Sequence, residues 1–185
     1  IAAFMQTVVT PIIPELPTLL DTTRADASWV LTSTLLAAAI STPISGRLGD
    51  MYGKRRIMLA LLIVMAAGCV IAALSNSLVP MVVGRVLQGV GLGTIALGIS
   101  ILRDVIHPKN LGGAVALVSA TLGVGGALGL PLAATIAQYL DWHFLFWLAA
   151  ALSLGAIVAV VLVIPVSTLR TGGSFDVVGA LGLAV

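Results

Sequence analysis

Of the chain's 185 residues, 59% are hydrophobic and only 9% are charged, with a mean hydropathy of +1.18. An average soluble domain is about 25% charged, so this composition excludes an ordinary water-soluble globule and points to helices packed in a bilayer. Nine basic against seven acidic residues, a net charge of +2, is too small and scattered a surplus for nucleic-acid binding. The single cysteine, Cys69 in an apolar run, excludes a disulfide framework and a thiolate metal site.

The charged positions divide the chain into apolar windows at 1–14, 27–46, 57–75, about 80–102, 113–137, 144–164 and 177–185. Measured against the ~17–25 residues of a spanning helix, these predict five complete spans and a partial one at each end. Pro11, Pro14 and Pro17 kink or end the first, and Pro43 stands one turn before the predicted end of the second. The run 57–84 is too long for one helix, and Asn76 and Pro80 place a tight hairpin inside it. Residues 165–176, with Gly172 and Gly173, read as a short linker. The chain starts at Ile1 and stops at Val185 within an apolar run, and so reads as a piece of a longer protein.

Lysine and arginine are retained in cytoplasmic loops, and one parity of loop holds nearly all of them here. Arg47, Lys54, Arg55, Arg56, Arg103, Lys109 and Arg170 fall in loops 47–56, 103–112 and 165–176, whereas the opposite loops hold Arg24 among Glu15, Asp21, Asp26 and Asp141. This predicts a multi-pass protein of the cell membrane with residues 46–56 in the cytoplasm. Trp29, Trp142 and Trp147 fall at the predicted outer helix ends, where interfacial aromatics sit.

Three constellations carry functional expectations. Residues 46–56 read Gly-Arg-Leu-Gly-Asp-Met-Tyr-Gly-Lys-Arg-Arg, so Gly46, Gly49 and Gly53 would permit a tight turn and close helix approach while cations hold Asp50. A positive-inside anchor alone would explain the cations but not the Gly-x-x-x-Asp-x-x-Gly spacing. In the fourth span, Arg85-x-x-Gln88-Gly89-x-Gly91 sets an arginine inside an apolar helix, a placement that costs several kcal/mol unless the charge is paired or wet. Snorkelling to the outer interface is the bland alternative, while Gly89-x-x-x-Gly93 gives a neighbouring helix close access. In the fifth span, Gly125-x-x-x-Gly129 with Pro131 is a close-packing pattern.

Residues 46–56 resemble the signature of the major facilitator superfamily, Gly-x-Leu-x-Asp-Arg-x-Gly-Arg-Lys/Arg, between its second and third helices; Met51 stands where the family has arginine and Lys54 provides the basic residue after the second glycine. The resemblance implies an all-α integral membrane fold: the amino-terminal six-helix bundle at 1–164, a cytoplasmic linker at 165–176 and the start of a seventh helix at 177–185. It implies a cytoplasmic gate of Gly46, Asp50, Gly53, Lys54, Arg55 and Asp104, in which Lys54 pairs with Asp104 and Asp50 caps a helix of a carboxy-terminal half. Arg85 and Gln88 resemble the family's fourth-helix motif, associated with proton coupling and the substrate cavity. Gly125, Gly129 and Pro131 resemble its antiporter motif, although Leu130 stands where proline is expected and Ala133 and Ala134 replace a glycine pair.

Thr7-Val8-Val9 with Pro14, and Gly173-Ser174-Phe175-Asp176, resemble motifs of the 14-span drug:proton antiporters, except that Met5 occupies the place of an acidic residue. The expected activity is therefore proton-coupled export of small drug-like or amphipathic molecules by alternating access, with substrate, protons, lipid and the carboxy-terminal half as partners and without a cofactor. A metabolite facilitator or symporter is the alternative within the family, and a non-transporting sensor or scaffold the alternative outside it. No GxxxxGK[ST] phosphate loop occurs, no intramembrane hydrolase constellation is present, and His107 and His143 read as surface residues rather than metal ligands.

Overall fold

The computed structural model describes residues 2–164, and every regular element among them is helical. The predicted linker at 165–176 and the predicted seventh span lie outside the described residues. The first span is broken, as its prolines require. Helix α1 (Ala2–Thr7) gives way to a 3-10 turn at Thr10–Ile12 with Pro11 near its start, and α2 (Leu16–Leu19) carries Pro17 in its first turn. Thr23 then caps α3 (Arg24–Ala27), its hydroxyl accepting from the Asp26 N–H at 3.1 Å and donating to the Asp26 carboxylate at 2.7 Å.

Helix α4 (Trp29–Tyr52) begins after Ser28 and continues beyond the predicted limit of its span at residue 46. Pro43 is accommodated inside it, so the charged connection expected at 46–56 is largely helical. It contracts to one residue, Gly53, whose φ of +100° a side chain would strain. Gly46 lies within α4 with open space where a Cβ would stand, so neither turn nor close approach requires it. Gly49 instead faces Leu97.

Helix α5 (Lys54–Ala73) and α6 (Leu78–Gly91) form the expected hairpin, with Asn76 in the turn and Pro80 in the first turn of α6. They nearly touch at paired glycines. A Cβ on Gly68 would fall 2.6 Å from the Gly84 carbonyl oxygen, and one on Gly84 would fall 2.8 Å from that of Gly68. The predicted fourth span departs from a single helix at Leu92–Gly93, after which α7 (Thr94–Val105) begins. Glycines at 91 and 93 weaken the helix there, and α4 supplies partners for the carbonyls at the break. Ser41 Oγ donates to Val90 O at 2.6 Å, while Ser45 Oγ, which also donates to Thr42 O at 2.9 Å, makes a longer contact of 3.4 Å with Gly93 O.

Helix α8 (Pro108–Tyr139) contains Pro131 and buries little beyond Gly129 and Ala133, while α9 (His143–Val163) packs on α5. Among the described residues, five apolar helices are thus long enough to cross a bilayer, Arg24–Tyr52, Lys54–Ala73, Leu78–Val105, Pro108–Tyr139 and His143–Val163, as the composition predicts. The exposed leucines and valines of α8 and α9, such as Leu117, Leu128 and Leu162, suit lipid or another apolar bundle rather than water.

The two glycines of the Gly125-x-x-x-Gly129 pattern are unequal. A Cβ on Gly129 would collide with Thr7 Oγ1 and lie 3.2 Å from Phe4 Cδ2, whereas one on Gly125 would meet Ala3 Cβ at an ordinary 3.6 Å. Gly129→Ala is therefore expected to lower the melting temperature of the detergent-purified full-length protein, by an overpacking term of about 1–2 kcal/mol. Gly125→Ala should leave it unchanged or slightly raised. Equal shifts would refute the distinction.

Candidate functional site

At the Gly53 end of the bundle, the one-residue turn delivers Lys54 to two carboxylates. Its Nζ lies 2.7 Å from Asp104 Oδ2 at the end of α7 and 3.6 Å from Asp50 Oδ1 one turn back along α4. The lysine side chain is 16% exposed, Asp104 37% and Asp50 55%, so the ion pair to Asp104 is the better shielded. Contact between Gly49 and Leu97 holds α7 against α4 and so sets Asp104 within reach. Arg55 turns the other way, donating through Nη2 to Val161 O at 2.8 Å near the end of α9. The end of the bundle is thus tied across α4, α5, α7 and α9 by Asp50, Lys54 and Arg55, whose partners Asp104 and Val161 lie 50 and 106 positions along the sequence from Lys54 and Arg55.

Arg85, in the middle of α6, is 1% exposed. Snorkelling is therefore not its solution. Its Nε donates to Val30 O of α4 at 3.1 Å, and its Nη1 donates to Met5 O of α1 at 3.2 Å and to Gln88 Oε1 at 2.7 Å. The Met5 carbonyl needs that donor: α1 ends at Thr7, and carbonyls in a helix's last turn have no partner within the helix. Arginine, with five donors on a planar fork, can serve three acceptors on three helices at once. Gln88 is fully buried, and its Nε2 has no hydrogen-bond partner. Met5, in the position where the resemblance leads one to look for an acid, puts its Sδ 3.7 Å from Cys69 Sγ.

On the other side of α1, Gln6 and Thr7 face a cleft of about 440 Å³ walled by Ile95 of α7 and by Leu122, Gly126 and Leu130 of α8. This is within the size range of small-molecule sites. Pro131 is the next residue of α8, and Gly129 closes the α1–α8 contact.

At the opposite end of the bundle, His143 is more than the surface residue expected from sequence. Its Nδ1 meets the Asp141 carboxylate, its Nε2 lies 3.0 Å from Ser75 O in the α5–α6 turn, and its ring stacks on Trp142. Hydrogen bonds from the His143 backbone and ring hold the Asp141 carboxyl below the usual carboxylate range. The signal in the sequence was the Asp-x-His spacing across a helix start. No group of three or more His, Cys, Asp or Glu side chains suited to a metal occurs among the described residues.

A broken first span, a fourth span with a buried arginine and five membrane-length helices among the described residues define a polytopic membrane protein. The sequence profile described as the Major Facilitator Superfamily matches residues 1–176, and the chain belongs to that family. It is 30% identical over 186 residues to the "Uncharacterized MFS-type transporter Rv1877" of Mycobacterium tuberculosis (strain ATCC 25618 / H37Rv), covering 100% of this chain and 27% of that protein. It is 29% identical over 187 residues to the "Putative multidrug resistance protein MdtD" of Salmonella newport (strain SL254), covering 98% of this chain and 40% of that protein. The chain therefore spans well under half the length of these relatives. Among solved structures, the proton:xylose symporter XylE superposes with a TM-score of 0.78 at 16% identity, covering 90% of this chain and 42% of that one. That likeness concerns the fold alone.

Proposed function

We propose that this chain forms the amino-terminal half of a transporter that exports small drug-like or amphipathic molecules across the cell membrane by alternating access, driven by proton entry. The observation that carries the reading is Lys54, held between Asp104 and Asp50 beside a one-residue turn. A charged clamp on a hinge between two membrane helices is the kind of element that can exist in two arrangements. Membership of the family and the multidrug name of the MdtD relative support export. In this reading residues 46–56 face the cytoplasm, Lys54, Arg55 and Asp104 bind the gate within this half, and Asp50 reaches across to the carboxy-terminal half. Gly53 is its hinge, and Gly46 offers an open surface on α4. The antiporter-like stretch Gly125, Gly129 and Pro131 lets α1 and α8 approach beside the cleft.

Arg85 and Gln88 fix the geometry of α1 against α4 and α6 behind the cleft. Because Arg85 bonds neutral oxygens only, a proton relay through it would need an acidic group from outside the described residues.

The gate is tested with Asp50→Asn in the full-length protein, reconstituted and energised in inverted vesicles. Transport should fall at least tenfold, since a carboxamide cannot replace the carboxylate's charge, while insertion and melting temperature stay near wild type because Asp50 is more than half exposed. An undiminished transport rate would sink the gate.

A further inference from the structure

No acidic side chain among the described residues balances the charge of Arg85. The arginine is buried at 1% exposure and bonded to two backbone carbonyls and one amide oxygen, all neutral. The six acidic side chains of the described residues, Glu15, Asp21, Asp26, Asp50, Asp104 and Asp141, all lie in turns or near helix ends. Met5, whose own carbonyl Arg85 grips, fills the adjoining space with a thioether packed on Cys69. Gln6, the next residue, is exposed and faces the cleft. The guanidinium therefore stands about one helix width, ~10 Å, behind the cleft wall, and no ionisable side chain lines the cleft to offset it.

We infer that the substrate of this cleft is an amphipathic anion: its acid group lies against Gln6, in the field of Arg85, and its apolar body lies on Ile95, Leu122 and Leu130. The inference rests on the export reading and specifies its substrate class. Of the two polar side chains on the cleft, the Gln6 amide can donate to the acid group, whereas the Thr7 hydroxyl, its hydrogen turned to the Ala3 and Phe4 carbonyls, cannot, so Gln6 is the anchor. A weakly solvated charge ~10 Å from a fixed guanidinium gains roughly tenfold in affinity over its neutral counterpart, and a cation loses as much.

Two xanthene dyes of similar size and opposite charge, fluorescein and rhodamine 123, test this in energised inverted vesicles carrying the full-length protein. Wild type should transport fluorescein at least tenfold faster than rhodamine 123. Met5→Asp, which sets a carboxylate beside Arg85, should reduce that ratio tenfold or more. Because Met5 is fully packed, Gln6→Glu on the exposed cleft wall provides a second, structurally tolerant variant expected to shift the ratio in the same direction. Faster transport of rhodamine 123 by wild type, or a ratio unmoved in a folded variant, overturns the inference and leaves the export reading intact. Transport of neither dye overturns both.

Discussion

Gly89→Val is expected to destabilise the bundle by about 3 kcal/mol and to abolish transport by the full-length protein, read as a collapse in the yield and melting temperature of the detergent-purified transporter. Gly89 lies where α6 crosses α4. A Cβ there would run into the Thr34 carbonyl oxygen and stand 2.9 Å from Ala37 Cβ. The Thr34 oxygen belongs to a helix backbone, so no rotamer change relieves the collision and the helices must separate. Separation would stretch the Ser41 Oγ to Val90 O bond and the Arg85 Nε to Val30 O bond, both of which cross the same interface. Gly46→Val is the matched control: its Cβ would point into open space, and its effect should stay within about 0.5–1 kcal/mol, the cost of a β-branched residue on a helix face with room for it. A stable, active Gly89→Val protein would show that α4 and α6 can part without loss.

The glycines also show how far the sequence could be read. Gly89-x-x-x-Gly93 promised close access for a neighbouring helix, and α4 makes that approach, through Thr34 at one glycine and Ser45 at the other. Five spans were legible because bilayer thickness imposes a length that charges punctuate. The end of α4 was not, because charge marks where a helix leaves apolar surroundings rather than where its hydrogen bonds stop. Lysine and arginine can follow a helix out of the membrane on long apolar stems. The break at Leu92–Gly93 was hidden for a related reason: hydropathy is blind to backbone geometry, and Ser41, whose hydroxyl adds a bond to the Val90 carbonyl there, lies nearly fifty residues earlier in the chain. Arg85 was legible as a buried charge needing partners and Gln88 as one of them, but the other two are main-chain carbonyls, and every residue has one of those. Only the fold selects Val30 and Met5.

That choice of partners makes Arg85→Leu the second large effect. The substitution relieves the burden of a buried guanidinium, yet it strands the Met5 carbonyl and Gln88 Oε1, both fully buried, without their donor. At about 1–3 kcal/mol for each orphaned acceptor, the loss should lower the melting temperature and allow the end of α1 to move against α6. Because α1 forms one wall of the cleft, transport should fall at least a hundredfold. Arg85→Lys separates charge from geometry. An ammonium keeps the positive charge but presents its donors from a single point, so it cannot reach Val30 O, Met5 O and Gln88 Oε1 together as the planar fork does. The lysine variant is accordingly expected to lose most transport as well, while keeping whatever preference for anionic over cationic dyes remains measurable. Full activity in Arg85→Lys would mean that charge alone matters and that the clasp on α1 is incidental.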